Sequence, residues 1–548
     1  MNKPMNHIRV DQALAEFLQM FTKQLATQAG GAANIDQWQV ATRELAQLAT
    51  GLEAARSLQA YADDHPEPGR DLYQQIAALC WYESLLMARA AADRFHQGLS
   101  LSVCDLDSAE ITTLLRSFDH EKACRQIGAE LVANGLELDP YLPDDEPLLK
   151  DLLATTRRFA QEQVLPVAQE IHRQDLLVPD TVINGMAELG LFGASIPDVY
   201  GGVGLGNLPM ILITEELSAA SLPAAGSLIT RPEVLAKALL VGGTEAQKTR
   251  WLPGVAQGEQ MVAVAVTEPD TGSDVANLRC RASRGEVKGQ RGWLINGSKA
   301  WCTFSGRANL LALLARTDAD TSLGHRGLSL FVVEKESFSG HHFSVDQSGG
   351  GRLTGKADDT MGYRGMHSFT LQFENYFLPE ENLIGGEAGL GKGFYFQMAG
   401  FAGGRLQTGG RAIGLARASL QAALEYCLQR KQFGSPLAEF QNSQYQLGKM
   451  MVAVAGARQL TYRAARAMDG EAEESQLLAA MAKLRSCRVA VEVSQSAQLM
   501  HGGWGYAEEF PIARYVADAL VLPIFEGVEP ILEMKVIGRQ LLHNATAG

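Results

Sequence analysis

The sequence predicts an α+β protein in which blocks of helices flank one β domain. Three observations carry this prediction: helical periodicity before residue 261, short β-prone runs between residues 261 and 380, and helical periodicity again towards residue 542. Because helices and strands come in blocks rather than in alternating β–α–β units, the pattern argues against a Rossmann-type sheet. The chain has 548 residues, 46% of them hydrophobic, which is enough for three or four domains.

Four domains are predicted along the chain. They are an N-terminal helical extension (1–145), a helical domain (146–260), a β domain (261–380) and a C-terminal helical domain (381–548). The first boundary is a linker at Leu138–Pro147, where three prolines and four acidic residues within ten positions cannot continue a helix. We interpret the extension as a packing or oligomerisation module, because it contains no catalytic constellation.

The β domain is predicted from runs rich in apolar and β-prone residues. These runs are Met261–Val266, Leu310–Ala315, Leu328–Val333 and Phe369–Phe373. The dipeptide Asn296-Gly297 predicts a hairpin turn that delivers Trp301 and Thr303 together. In contrast, we interpret the glycine-rich Gly389–Gly393 as a flexible turn, since it lacks the strand-to-helix turn and the acidic residue of a dinucleotide site.

Composition excludes several classes of partner. With 48 Lys+Arg against 62 Asp+Glu, the net charge is −14, which opposes non-specific binding to nucleic acid or to an anionic membrane. The sequence has no apolar run of membrane-spanning length and no start that resembles a signal peptide, so a cytoplasmic protein is expected. Its seven cysteines have neither disulfide nor metal-ligand spacing, which predicts packing roles and no metal site.

Four motifs carry the functional prediction. They are V-T-E-P-D-T-G-S-D at Val266–Asp274, I-N-G-S-K-A-W-C-T at Ile295–Thr303, R-K-Q-F-G at Arg430–Gly434, and G-G-W-G-Y at Gly502–Tyr506 followed by F-E-G-V-E-P at Phe525–Pro530. Each is weak alone, since the first also suits an ordinary polar turn and the tryptophan of the second also suits a core. In this order, over about three quarters of the chain, they resemble the acyl-CoA dehydrogenase family.

The resemblance implies FAD as the cofactor. It implies that Val266, Thr267, Trp301 and Thr303 contact the flavin ring. The two threonine hydroxyls would hydrogen-bond the ring, and the Trp301 indole would stack on it. Ser273 would contact the cofactor and the pantetheine or phosphate end of the substrate. The positions that would reach the FAD of a neighbouring subunit, implying a homodimer or homotetramer, are Arg430, Gln432, Phe433 and Gln441. The remaining cofactor positions are Gln498, Gly502, Gly503 and Val528.

Two of these positions depart from the family pattern. Val528 stands where the family has a threonine, so a hydroxyl contact to the flavin is lost. Leu499 stands where the family has a glutamine, and Gln498 lies one residue too early unless the helix slips locally.

The resemblance also implies the chemistry. Glu526, followed by Gly527 on the substrate side, matches the family carboxylate that removes the proton α to the thioester while the β-hydrogen leaves as hydride to the flavin. That proton is very weakly acidic, so the base needs a dry pocket and the developing enolate needs hydrogen-bond donors. The apolar approach Leu520–Phe525 is typical of such a pocket. An exposed glutamate at a helix start is the alternative interpretation.

The substrate class is predicted from further resemblances. The N-terminal extension, Gln347–Gly355 and Gly362–Phe369 are similar to a branch of the family that acts on a short branched dicarboxylic acyl-CoA. A free distal carboxylate needs a cation, and the candidates are Arg364, His367 and Arg405. The sequence does not choose among them, because Arg364 also suits a structural turn and Arg405 a helix-surface ion pair.

An electron-transferring flavoprotein is the expected redox partner. Three other functions stay open: another short- or branched-chain acyl-CoA dehydrogenase, an acyl-CoA oxidase that passes electrons to oxygen, and a non-enzymatic flavoprotein that binds nucleic acid. The net charge of −14 and the presence of Glu526 weigh against the last of these.

Overall fold

The fold was analysed in a computed structural model, which describes residues 6–66, 69–101, 106–135 and 146–547. The chain forms two compact units, Met1–Lys150 with Thr408–Gly548, called here the helical unit, and Asp151–Gln407, called here the sheet unit. The predicted linker at Leu138–Pro147 lies almost entirely outside the described residues. The predicted domain boundaries therefore stay predictions, whereas the α+β class is confirmed.

Helices occupy both ends of the chain. Those before the sheet are α1 (His7–Ala29), α2 (Gln39–Asp64), α3 (Arg70–Leu99), α4 (Ala109–Ser117), α5 (His120–Asn134), α6 (Pro147–Phe159), α7 (Leu165–Gln174), α8 (Asp180–Glu188), α9 (Asn207–Ala220), α10 (Thr230–Gly242) and α11 (Glu245–Ala256). Those after it are α12 (Gly393–Gln429), α13 (Gln441–Asp469), α14 (Ser475–His501), α15 (Pro511–Ala519), α16 (Glu529–Ile531) and α17 (Arg539–Ala547). Segments of π-helix lie at Ala160–Val164, Leu222–Gly226 and Leu532–Gly538.

The strands form one main sheet. They are β1 (Val262–Ala265), β2 (Arg281–Val287), β3 (Gln290–Thr303), β4 (Leu310–Arg316), β5 (Leu328–Glu334), β6 (His342–Asp346), β7 (Arg352–Ala357) and β8 (Ser368–Pro379), with the two-residue strands β9 (Lys431–Gln432) and β10 (Ser435–Pro436) forming a separate hairpin. The order in the main sheet is β1-β4-β2-β3-β8-β7-β6, with β5 on β4. The four predicted strands are confirmed.

Strand β4 is buried on both faces. Its residues Leu311 and Leu313 belong to an apolar cluster with Phe331, while the alternate residues Leu310 and Leu314 pack with α10 and α11. Because successive side chains point to opposite faces of a sheet, burial on both sides requires a continuous apolar run rather than alternation. This explains why β4 is visible in the sequence.

The predicted hairpin at Asn296-Gly297 is wrong. Both residues lie inside β3, where the pairing with β8 shifts register between Ile295 and Gly297. The turn from β2 to β3 is instead Lys288-Gly289, whose φ values of 53° and 79° suit a two-residue hairpin loop. Asn-Gly therefore marks a β-bulge here, a place where glycine is also favoured.

The N-terminal helices belong to the same compact unit as the C-terminal helices. Helices α5 and α13 approach each other through two glycines that face the partner backbone. A Cβ atom on Gly128 would lie 1.8 Å from the carbonyl oxygen of Gln444, and one on Gly448 would lie 1.9 Å from that of Cys124. The backbones are therefore too close for any side chain at these two positions.

A buried carboxylate also links the two ends of the chain. Glu533 is 1% exposed and accepts a hydrogen bond of 2.7 Å from Gln47 in α2. It forms ion pairs with Arg43 at 3.2 Å and with Arg488 of α14 at 3.1 Å. Because a buried charge is tolerated only when it is paired, this cluster ties α2 to the C-terminal helices.

The cysteines are packing residues wherever the structure describes them. Buried, free thiols occur at Cys80, Cys124, Cys280, Cys302, Cys427 and Cys487, whereas Cys104 lies outside the described residues. Burial raises the pKa of Cys302 to about 12, so its thiol stays protonated and unreactive.

Replacing Gly128 by alanine should destabilise the helical unit. Its new Cβ meets backbone rather than a flexible side chain, so α5 and α13 must move apart, and we expect a loss of about 1–3 kcal/mol in the free energy of unfolding. Gly51→Ala is the matched control, because its Cβ lies 3.7 Å from Ser84 Oγ and alanine favours a helix. Chemical denaturation of both proteins measures the difference, and equal stability would contradict the close approach.

Candidate active site

A buried ion pair joins the first two motifs in the sheet unit. Lys299 is 0% exposed, and its Nζ donates to Glu268 Oε1 at 2.9 Å and to the Val266 carbonyl at 2.8 Å. The other oxygen of Glu268 accepts from Arg279 N at 2.8 Å. Both charges are therefore compensated, and the loop that follows β1 is fixed to β3. Sequence analysis missed this pair, although both residues lie inside the motifs.

Thr267 and Trp301 lie beside this ion pair in the chain. The Thr267 carbonyl accepts a hydrogen bond of 2.8 Å from Ala300 N. Trp301 falls at a register shift of β3, has φ 57° and is 60% exposed. The core interpretation of this tryptophan does not hold, because its ring is turned out of the strand into solvent. A left-handed backbone at a bulky residue persists only when its surroundings impose it.

Thr303 and Ser273 have contrasting environments. Thr303 is buried, and its Oγ1 shares a hydrogen bond of 3.0 Å with Ser368 Oγ of β8. Ser273 is exposed in the loop after β1, beside Gly272, which has no neighbouring atom within 4 Å of a built Cβ. The loop therefore leaves room for a ligand at Ser273.

Two of the three predicted cations, Arg364 and His367, are engaged with Asp175. Arg364 lies 3.6 Å from Asp175 and donates to the His172 carbonyl at 2.9 Å. His367 is 4% exposed and its Nε2 lies 3.0 Å from Asp175 Oδ1. The structural interpretation of Arg364 is thereby supported. Arg405, the third candidate, is half-buried in α12.

Asp175, His341 and His367 also bring ligand-type atoms within 4.8 Å of one another. However, the Arg364 guanidinium beside Asp175 already supplies positive charge, which disfavours a cation at the same carboxylate. We therefore interpret this cluster as a structural link between α7 and β8 rather than as a metal site.

Sequence analysis missed one buried cation, Arg231 at the start of α10. It is 6% exposed, and its Nη1 donates to the Ser227 carbonyl at 3.0 Å and to Tyr363 Oη at 3.1 Å. Within the described parts of the chain no carboxylate forms an ion pair with it, which is unusual for a buried arginine. The only sequence signal is a charged residue before Pro232 within an apolar stretch.

In the helical unit, the R-x-x-F-G motif forms a tight hairpin. Strands β9 and β10 are joined by Phe433 and Gly434, with φ values of 52° and 88°. Phe433 is 97% exposed, and Gln432 and Gln441 are also exposed. The guanidinium of Arg430 forms no hydrogen bond or ion pair with any residue in the described ranges. This hairpin presents an aromatic ring, two amides and a positive charge to solvent.

The G-G-W-G-Y motif follows α14. Gly502 and Gly503 are exposed, and a Cβ built at either would meet no atom within 4 Å. Gln498 donates its amide to the Gly505 carbonyl at 3.0 Å, whereas Leu499 is 81% exposed. Helix α14 is regular up to His501, so the local slip considered for Gln498 does not occur.

Glu526 lies in the turn between α15 and α16. It has φ 54°, Gly527 has φ 99°, and Val528 caps the start of α16. Its Oε2 is buried without a hydrogen-bond partner among the described residues. Most buried carboxylates are satisfied, and those that are not are often functional. The exposed-glutamate alternative is not supported, because the side chain is only partly accessible.

Three family descriptions match the chain in order. The acyl-CoA dehydrogenase N-terminal domain matches residues 147–259, the middle domain 263–376 and the C-terminal domain 391–542. The chain belongs to the acyl-CoA dehydrogenase family. Acyl-CoA dehydrogenases are FAD-dependent oxidoreductases, so this chain is an FAD-dependent enzyme of that class, and the non-enzymatic alternative is set aside. The N-terminal extension precedes all three matched ranges.

Known acyl-CoA dehydrogenases resemble this chain in sequence and fold. The (2S)-methylsuccinyl-CoA dehydrogenase of Cereibacter sphaeroides is 42% identical over 386 residues, which cover 70% of this chain and 68% of the relative. Butyryl-CoA dehydrogenase of Megasphaera elsdenii has 31% identity and a TM-score of 0.66, covering 74% of this chain and 100% of its own. A chain in a structure of the electron transferring flavoprotein of Acidaminococcus fermentans has 31% identity and a TM-score of 0.65, covering 74% and 99%.

The side chains present fit the FAD of an acyl-CoA dehydrogenase. Trp301 and Phe433 expose aromatic surface of the kind that stacks on a planar ring, and Arg430 offers a fork of donors suited to a pyrophosphate.

No helix in the described part of the chain combines the length and the apolar character that crossing a membrane requires.

The free energy of unfolding should decrease at acidic pH because His367 becomes protonated. Burial lowers the pKa of His367 below its ordinary value, while the hydrogen bond with Asp175 opposes this shift. The unfolded chain therefore takes up the proton more readily, so the contribution is complete above about pH 6.5 and decreases below it. Melting temperatures at about pH 7.5 and about pH 5.5 should differ less in His367→Gln than in the parent protein.

The exposed His342 provides the matched control for this measurement. His342→Gln makes the same chemical change on the surface and should keep the pH dependence of the parent protein. An unchanged dependence in His367→Gln would contradict the assignment.

Proposed function

We propose that this acyl-CoA dehydrogenase oxidises (2S)-methylsuccinyl-CoA to mesaconyl-CoA, with Glu526 as the base. The assignment of Glu526 as the base rests on its buried Oε2, which has no hydrogen-bond partner among the described residues. The substrate is supported by the 42% identity with the Cereibacter sphaeroides enzyme and by the buried Arg231.

Glu526 would take the proton α to the thioester carbonyl. A carboxylate oxygen that is shielded from water and not already accepting a hydrogen bond is available to accept the substrate proton. The left-handed backbone at Glu526 and Gly527 sets the direction of the Glu526 side chain. FAD, when bound, accepts the β-hydrogen as hydride.

The residues that would hold FAD are those of the four motifs. In the sheet unit, Val266, Thr267, Thr303 and Trp301 would contact the ring, and Ser273 would bridge towards the substrate. The positions in the helical unit are Arg430, Gln432, Phe433, Gln441, Gln498, Gly502, Gly503 and Val528. Gln498 contributes least, because its amide is engaged with Gly505. Arg430, Gln432, Phe433 and Gln441 would meet the cofactor of a second subunit, so the proposed enzyme is a homodimer or homotetramer.

Arg231 adds a candidate for recognition of the distal carboxylate. A buried guanidinium without a carboxylate partner would gain one when a dicarboxylic acyl chain binds. Arg405 is a second candidate. Arg364 and His367 are weaker ones, because both are already engaged with Asp175.

An electron-transferring flavoprotein is the proposed electron acceptor. The structural likeness to a chain in the Acidaminococcus fermentans flavoprotein structure supports this link. The cytoplasm is the proposed compartment, and the six described free cysteines suit its reducing conditions.

Anaerobic titration with acyl-CoA thioesters tests the reaction. (2S)-Methylsuccinyl-CoA should bleach the oxidised flavin band faster than butyryl-CoA or isovaleryl-CoA, and Glu526→Gln should keep the flavin but slow bleaching by about 100- to 10,000-fold. Glu509→Gln, a change of the same charge at an exposed position, is the matched control and should behave as the parent protein.

Two results would overturn parts of this proposal. Rapid bleaching in Glu526→Gln would refute the base, and faster bleaching by a monocarboxylic thioester would refute the substrate in favour of another short- or branched-chain dehydrogenase. Stoichiometric peroxide in air would favour an oxidase.

Arg231 is tested through substrate preference. Arg231→Met should lower kcat/KM for methylsuccinyl-CoA by about 30- to 1,000-fold, because loss of one partner of a buried charge pair costs about 2–4 kcal/mol. Butyryl-CoA, which has no distal carboxylate, should be affected far less, and Arg231→Lys should be intermediate. An equal loss with both thioesters would mean that Arg231 supports the fold rather than the carboxylate.

A further inference from the structure

The turn that carries Glu526 has an uncommon backbone. Glu526 and Gly527 are both left-handed, with φ values of 54° and 99°. Glycine adopts this conformation freely, whereas a glutamate does so at a cost in free energy. One backbone hydrogen bond, from Glu529 N to the Pro523 carbonyl at 2.9 Å, closes the turn. Such a conformation persists when other parts of the structure hold it in place.

Lys483 of α14 holds this turn from inside the helical unit. It is 1% exposed, and its Nζ donates to the Gly527 carbonyl at 2.5 Å. Removing an ammonium group from water is unfavourable unless acceptors replace the water. The carbonyl next to Glu526 is one of those acceptors, so the turn and the buried cation stabilise each other.

A second buried cation lies on the other side of Glu526 in the chain. The guanidinium of Arg411, which is 0% exposed, lies over the ring of Phe525 at 4.6 Å from the centroid. The residues before and after Glu526 are thus both held by cations from long helices, α12 and α14. Glu526 itself forms no hydrogen bond or ion pair with any residue that the structure describes.

We infer that Lys483 is the positioning residue for Glu526. By fixing the Gly527 carbonyl it keeps the turn left-handed, which aims the carboxylate and leaves its oxygen unoccupied for the substrate proton. The inference rests on the proposed function, since it assigns the support of the proposed base.

Replacement of Lys483 in the full FAD-loaded enzyme tests the inference. Lys483→Met should lower kcat by about 10- to 100-fold with KM nearly unchanged, because the base is misplaced while substrate binding is kept. Lys483→Gln keeps a donor for the Gly527 carbonyl, so it should recover part of kcat, and Lys483→Arg should recover more.

A crystal structure of Lys483→Met should show Glu526 outside the left-handed region, a change that does not depend on activity. Lys449→Met, the same chemical change at an exposed position of α13, is the matched control and should leave kcat, KM and the turn unchanged. Glu526→Gln is measured in parallel to separate the two proposals.

The outcomes are distinct. Parent-like kcat and backbone in Lys483→Met, together with an inactive Glu526→Gln, would overturn the role of Lys483 and leave the proposed base intact. An active Glu526→Gln would instead overturn the base. If Lys483→Met does not fold, a crystal structure of the parent holoenzyme decides, since Lys483 Nζ beyond hydrogen-bond distance of the Gly527 carbonyl would also overturn the inference.

Discussion

The buried ion pair of Glu268 and Lys299 is the contact on which the spatial arrangement of the two motifs in the sheet unit depends. A lysine with no exposure and a nearly buried carboxylate satisfy each other, and their remaining oxygens and hydrogens are taken by the Val266 carbonyl and by backbone amides. Such a pair is expensive to break but contributes little net stability. Its effect is geometric, because it fixes the loop after β1 to the strand that carries Trp301 and Thr303.

The helical unit uses buried charge in the same way. Glu533 gathers donors from α2 and α14, and Lys483 supports the turn at Gly527. In each unit, a buried charged side chain fixes the position of a segment. That segment either has no regular secondary structure or packs against a helix that is distant in the sequence. Loops that carry functional side chains are usually positioned by a rigid scaffold in this manner.

Much of the fold was predictable from the sequence, because long periodic segments such as α12 and continuous apolar runs such as β4 can be recognised from the local sequence alone. The Asn296-Gly297 hairpin was not, since a bulge depends on the partner strand β8 and a dipeptide does not reveal it. Arg231 was missed for a similar reason: its burial, and the lack of a carboxylate partner among the residues that the structure describes, are properties of the folded chain. The motif residues were found from the sequence. The contacts that hold them, such as the ion pair of Lys299 with Glu268, can be seen only in the folded structure.

The close approach of α5 and α13 has a consequence for synthesis of the chain. About 300 residues separate Asn134 from Gln441, so at about 5–20 residues per second the ribosome needs roughly 15–60 s to deliver the second helix. During that delay the face of α5 that carries Gly128 lacks its partner helix. Native packing of this unit is therefore complete only after α13 has been synthesised.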